Sequence, residues 1–169
     1  MRALIVAAVF AMCGVNANAD TNPLAPMDFF KGCWHGTFAR STTVTDERCL
    51  APMLGGAYIR DTHVVQGGPA PYAGEAIYGY DPHAHRIVVT YYAQDGIERG
   101  FADVAGQGLS FPQSDFVGDD GAITTLRASW APDGPDRFIA VAEFLENGRW
   151  VEHLRITYTR VANLSPPVQ

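Results

Sequence analysis

Helical signal is nearly absent from this chain: only Pro26 to Lys31 has the make-up of a single turn, with Met27, Phe30 and Phe29 on its packing side. Long apolar runs are equally scarce. The one such run, Ala3 to Met12, is too short for a spanning helix, which needs roughly 20 apolar residues, and it ends among Asn16, Asn18 and Asp20. Basic excess is missing too. The 169 residues hold 12 Lys+Arg against 18 Asp+Glu, a net charge of −6, which excludes the basic footprint that nucleic acid and anionic membrane surfaces require. No C-x-x-C, H-E-x-x-H, G-x-S-x-G, G-x-x-x-x-G-K or G-x-G-x-x-G occurs, so the familiar metal, hydrolase and nucleotide sites have no foothold. No internal repeat and no linker divides the chain.

What is present begins with a leader. Met1-Arg2 supplies a positive start, Ala3 to Met12 an apolar core, and Ala17-Asn18-Ala19 the small-x-small pattern of a signal-peptidase site. Residues 1–19 therefore read as a signal peptide, with the mature chain starting at Asp20 and destined for the periplasm or beyond. Cys13 follows Met12, where lipoprotein processing takes a small residue, so lipidation is discounted. Cleavage removes Arg2 and no acid, taking the net charge from −6 to −7. The rest is expected to form one domain over residues 20–162, with a disordered tail at 163–169.

From Cys33 onward, short β-type runs alternate with Gly, Pro, Asp and Asn at the spacing of sandwiches and barrels. Ten strands are expected, at 33–40, 42–49, 56–66, 72–80, 85–93, 97–104, 108–111, 122–130, 137–146 and 149–161. Asn147-Gly148 between two long apolar runs is the strongest hairpin signal, matching a two-residue type I′ loop. Pro112 to Gly121 reads as irregular. Short connections throughout give a meander, and a meander of this size removes its exposed edges by closing into a barrel. The expected fold class is thus all-β, a single closed antiparallel barrel.

The first hairpin turns near Ser41, so positions summing to 82 lie opposite each other. Cys33 then faces Cys49 at a Cβ separation of roughly 4.5–5.5 Å, and in an exported protein the pair reads as a disulfide. The same register sets Trp34 against Arg48, His35 against Glu47, Gly36 against Asp46 and Phe38 against Val44. Trp34 and Phe38 mark the inner face, which sends Asp46 and Arg48 inward as well. Such buried charges are costly unless they pair, so either they bond to each other near the barrel mouth or the register differs.

Gly32-Cys33-Trp34 resembles the G-x-W signature that opens the first strand of lipocalins and other calycins. The resemblance implies an arginine of the last strand lying over that tryptophan, and Arg160 stands where it would be needed. In layout, residues 27–161 are closest to the compact ten-stranded nitrobindin-like calycins and to exported relatives of unknown activity. Nitrobindin-like proteins hold haem through a histidine on the last strand, and Glu152-His153-Leu154 is the local match. Strand parity opposes that role: with Arg160 inward, Tyr158, Ile156, Leu154 and Glu152 are inward and His153 is outward, unless a β-bulge intervenes. The chain also lacks the glycine-rich pattern that follows the tryptophan in nitrobindins. No cofactor is expected, and a histidine in the cavity wall would reopen haem or metal chemistry.

Tyrosines are the main chemical resource. Tyr72, Tyr78 and Tyr80 share one face of the fourth strand, Tyr58 joins them if Arg60 faces inward, and Tyr91 and Tyr92 follow on the fifth. Aromatics with polar tips suit a flat or amphipathic ligand. Glu75, Glu143 and Glu152 are carboxylates within apolar runs, with Arg60, Arg99 and Arg127 as partners. The expected interior site comprises Tyr58, Arg60, Tyr78, Tyr91, Glu143 and Glu152. His83 and His85 are expected at an exposed strand entrance, and His63 is read as a satisfied or surface histidine. The expected partner is a small apolar molecule, with no nucleic acid and no membrane span in the mature protein. Two readings of the interior stay open: carriage of a small hydrophobic or aromatic ligand, or cofactor-free isomerisation, elimination or hydrolysis of one.

Overall fold

The computed structural model describes residues 22–162, so the expected signal peptide, Cys13 and the expected disordered tail at 163–169 all lie outside the described residues. Ten strands form one closed antiparallel barrel: β1 (Gly32–Phe38), β2 (Thr45–Met53), β3 (Tyr58–Gln66), β4 (Tyr72–Asp81), β5 (Arg86–Ala93), β6 (Gly96–Ala105), β7 (Gly108–Gly118), β8 (Ile123–Pro132), β9 (Arg137–Glu146) and β10 (Arg149–Val161). Each strand pairs with its sequence neighbours, and β10 closes the ring on β1. The architecture is consistent with a calycin-like barrel. Among the described residues no helix is long and apolar enough to cross a membrane.

The first hairpin has the expected register, with Cys33 opposite Cys49, Trp34 opposite Arg48 and Gly36 opposite Asp46. The two cysteines form a disulfide with their Cα atoms 4.1 Å apart. Closing a loop of this length removes about 3 kcal/mol of chain entropy from the unfolded state. At the other end of the sequence, Asn147 (φ 51°) and Gly148 (φ 77°) both adopt the positive φ of a type I′ turn.

One end of the barrel is sealed. A 3-10 turn at Ala25–Phe30 drops Met27 and Phe30 into the core, each 0 % exposed. Trp34 is equally buried and donates its indole N–H to the Phe30 carbonyl at 2.7 Å. Arg160 lies over the Trp34 ring at 4.1 Å and donates to the carbonyls of Lys31 (2.7 Å) and Phe29 (2.9 Å). Gly32 permits this approach: its φ is +110°, and a Cβ there would stand 2.9 Å from Arg160 Nη1. One side chain thus ties the last strand to the turn and the indole face together.

Two irregularities depart from the alternation read in the sequence. The segment from Pro112 onward is strand rather than loop, because β7 runs on to Gly118 with a register shift between Phe111 and Ser114. Proline lacks the N–H that a ladder requires, and the bulge places it where the ladder is already interrupted. The second shift falls on β10 between Glu152 and Leu154. His153 is the extra residue, and it resets the parity above it. Leu154 stays inward opposite Ala142, while Glu152 turns outward opposite Glu143.

Candidate functional site

The barrel encloses a cavity of about 550 Å³ that extends from mid-barrel toward the end opposite the 3-10 turn. Its upper wall is mainly apolar, built from side chains such as Phe38, Val65, Phe116, Leu126, Phe144 and Leu154. These are the inward members of alternating strands, so sheet pleat alone delivers them to the interior. Toward the base the lining changes character. Asp46, Arg48, Asp61, His63, Tyr78 and Tyr91 all border the cavity there.

This polar tier arises from two adjacent strands with matching parity. On β2, Asp46 and Arg48 precede inward Leu50; on β3, Asp61 and His63 sit between inward Ile59 and Val65. Arg48 and His63 are direct cross-strand partners, and so are Leu50 and Asp61. Asp46 and Asp61 are 1 % and 2 % exposed. Arg48 Nε stands 3.7 Å from Asp46 Oδ2 and 3.6 Å from Asp61 Oδ1, and its guanidinium lies over the rings of Trp130 and Tyr158.

Asp46 is the hub. His63 Nδ1 donates to its Oδ1 at 3.1 Å, and the Tyr158 hydroxyl donates to its Oδ2 at 2.5 Å. Burial by itself would raise the Asp46 pKa, but the His63 hydrogen bond, the Arg48 charge and Tyr158 together outweigh burial and hold it below the usual value. Asp61 goes the other way. Its burial outweighs the Arg48 charge, so its pKa is raised, and Tyr78 reaches its Oδ2 only at 3.5 Å.

Beyond His63 the polar chain continues upward. Its Nε2 lies 2.9 Å from the Tyr91 hydroxyl, which lies 3.1 Å from that of Tyr72. Gly74 makes room for this chain: a Cβ there would stand 2.2 Å from the Tyr91 oxygen and 2.6 Å from His63 Nε2. Burial raises the Tyr91 and Tyr72 phenols above their ordinary range. Near the mouth, Glu98 accepts from Ser114 at 2.5 Å, and its pKa is raised by burial.

The six residues expected to form the interior site are divided by the fold. Tyr78 and Tyr91 line the cavity. Tyr58 and Arg60 lie on the outer face, because β3 points Ile59, Asp61 and His63 inward; Arg60 pairs with Glu75 there at 2.6 Å. Glu143 pairs outside with Arg127 at 2.6 Å, and Glu152, turned out by the bulge, pairs with Arg155 at 2.6 Å. Both carboxyls are held below their usual pKa by those hydrogen bonds. Of the remaining tyrosines, Tyr72 faces in, Tyr92 faces out and Tyr80 is exposed near the closed end. His83 and His85 are exposed in the turn that Asp81 caps.

Asp61 is the member that sequence reasoning passed over, while His63, read as a satisfied or surface histidine, is the satisfied one, buried with both ring nitrogens engaged. The signal was the run Ile59-x-Asp61-x-His63-x-Val65, in which apolar ends of one parity imply that the polar middle points the same way. Asp46 and Arg48 were expected inward, and they do meet, but below the mouth and with Asp61 as a third party.

The histidine that the resemblance offers to haem lies away from the cavity. His153 is absent from the cavity lining; it stacks on Phe144 at 4.2 Å and bonds Glu146 at 2.5 Å. The histidine that does line the cavity is His63, and both its nitrogens are engaged, by Asp46 and Tyr91. Among the described residues no group of three or more His, Cys, Asp or Glu could hold a metal ion. No protein-family model matches the sequence, and no relative was found among curated proteins.

Proposed function

We propose that this protein is an exported, calycin-like carrier that takes a small, predominantly apolar molecule into its barrel. The carrying observation is the cavity of about 550 Å³, lined mainly by apolar side chains, with a polar tier at its base and a few polar groups such as Glu98 nearer the mouth. That volume lies within the roughly 300–1,000 Å³ of small-molecule sites, as does the pattern of many apolar groups and few polar ones. The leader sequence and the Cys33–Cys49 bridge support an oxidising compartment. Ten strands and the Trp34–Arg160 floor favour the nitrobindin-like layout within the calycins, without that family's haem.

A filled cavity is the direct test. Ala128 and Ala142 face each other across β8 and β9, and both line the cavity. In Ala142→Trp the indole occupies ligand space. N-phenyl-1-naphthylamine, a neutral dye that brightens in apolar surroundings, is expected to bind the native protein and to lose at least tenfold in affinity in the variant. Equal dye binding by both proteins, or none by either, contradicts carriage.

One observation favours a second reading, a cofactor-free enzyme. The line Asp46–His63–Tyr91–Tyr72 joins a buried carboxylate to the upper cavity through three hydrogen bonds. The Asp46 carboxylate can only accept, so His63 Nδ1 carries a proton and Nε2 faces Tyr91. Tyr91 has one hydroxyl proton for two neighbours, and because burial keeps that proton on the phenol, the hydroxyl would serve by donating a hydrogen bond to a substrate oxygen that gains negative charge. On this reading Tyr91→Phe abolishes turnover of a substrate while dye affinity and melting temperature hold. Turnover unchanged in that variant removes the tyrosine from the chemistry.

A further inference from the structure

The base of the cavity holds a donor without an acceptor. The Arg48 side chain is ion-paired but loosely: its Nε stands 3.7 Å from Asp46 and 3.6 Å from Asp61, beyond hydrogen-bond range, so that Nε and the facing Asp61 Oδ1 are both buried without a hydrogen-bond partner. The guanidinium is nevertheless fixed in place. Trp130 and Tyr158 lie against it at 5.0 and 5.3 Å, and its side chain is 12 % exposed, facing the cavity it lines. A planar cation carrying five N–H donors, held between two carboxylates without a close hydrogen bond to either, is prepared for an acceptor delivered from above.

Charge decides what kind of acceptor. Two carboxylates already flank the guanidinium, and Asp95 and Glu98 add two more acids to the cavity wall, against Arg48 as its sole Arg or Lys. An incoming carboxylate would join four acids around one base, in surroundings where an unmatched charge is costly. An incoming ammonium would meet the guanidinium head-on. The other polar tips near the base offer no competing donor: Tyr158 donates to Asp46 and Tyr78 points at Asp61.

Resting on the carrier reading, we infer that Arg48 is the head-group subsite and that the ligand class is a neutral carbonyl compound, a ketone, aldehyde, ester or amide on an apolar body. The carbonyl oxygen points down and accepts from the Arg48 terminal nitrogens. The apolar body fills the space between Phe111, Phe116, Phe144 and Leu154. Leaving these donors unmet is a loss that only an acceptor-bearing ligand recovers, so discrimination resides in this one contact.

A set of four naphthalenes of matched shape tests this: 2-acetylnaphthalene, 2-ethylnaphthalene, 2-naphthoate and 2-naphthylmethylamine, each competed against N-phenyl-1-naphthylamine. The ketone is expected to bind about tenfold more tightly than the ethyl analogue, the margin of a hydrogen bond to a charged group, and more tightly than either ion. Its carbonyl stretch should move to lower frequency on binding. In Arg48→Met combined with Asp61→Asn, which removes a cation and an anion together, the ketone should fall to the level of the ethyl analogue and the infrared shift should vanish. Equal binding of ketone and ethyl analogue, or tighter binding of naphthoate or the amine, overturns the inference and leaves carriage standing. Failure of all four and of the dye overturns both.

Discussion

Asp46→Ala should destabilise the fold by about 3–5 kcal/mol, the range for removing one member of a buried charged pair. The carboxylate accepts from His63 and Tyr158 and sits beside Arg48, so its loss strands three buried groups at once. A melting temperature lowered by on the order of 10 °C is the expected reading for a domain of this size. Asp46→Asn, which keeps an acceptor oxygen but not the charge, should fall between variant and wild type. The pH dependence has a definite sign. The folded pKa of Asp46 lies below its unfolded value, so its contribution is fully present above the unfolded pKa and is lost as pH falls through the folded one. The gap between wild type and Asp46→Ala should therefore be constant near neutrality and shrink in acid, below the ordinary aspartate value of 3.8. Asp61 supplies the contrast. Burial raises its folded pKa, so its ionised form weighs against the fold as pH rises, and Asp61→Asn should be close to neutral or stabilising at pH 7. Equal losses from Asp46→Ala and Asp61→Ala would contradict the division of roles within the tier.

Trp34→Ala should be comparably severe, about 3–5 kcal/mol for deleting a fully buried indole. Trp34 contacts the Phe138 ring at 4.8 Å and carries the Arg160 guanidinium at 4.1 Å. Trp34→Phe keeps an aromatic face but loses the N–H donated to Phe30, and should cost about 1 kcal/mol beyond repacking. The indole is not part of the cavity lining. Thermal unfolding combined with dye titration separates the two roles: a much lower melting point with dye affinity retained below it is expected. Loss of dye affinity in a folded Trp34→Ala protein would show that floor and cavity are one unit.

The sequence disclosed local features more fully than long-range ones. A turn near Ser41 was enough to set the β1–β2 register, and with it the Cys33–Cys49 bridge and the inward Asp46 and Arg48. Asn147-Gly148 marked its hairpin because few other residue pairs accept two consecutive positive φ values. The Gly32-Cys33-Trp34 signature and Arg160 located the floor. Bulges were illegible, since composition does not announce an extra residue: one hid the continuation of β7 past Pro112, and the other, at His153, turned Glu152 outward. Parity on β3 was read from Tyr58 and Arg60 when Ile59 and Val65 carried it. That choice concealed Asp61, and with it the part that His63 plays in a tier whose logic appears only once β2 and β3 are in register.

The most direct measurement is where a bound molecule touches the protein. Isotope-filtered NMR of 2-acetylnaphthalene with labelled protein should give intermolecular contacts to the methyl groups of Ala128, Ala142 and Ile156, all in the cavity wall. Contacts confined to outward-facing methyls such as those of Ile77 and Val88, or no saturable contacts at all, would contradict an interior that carries a ligand.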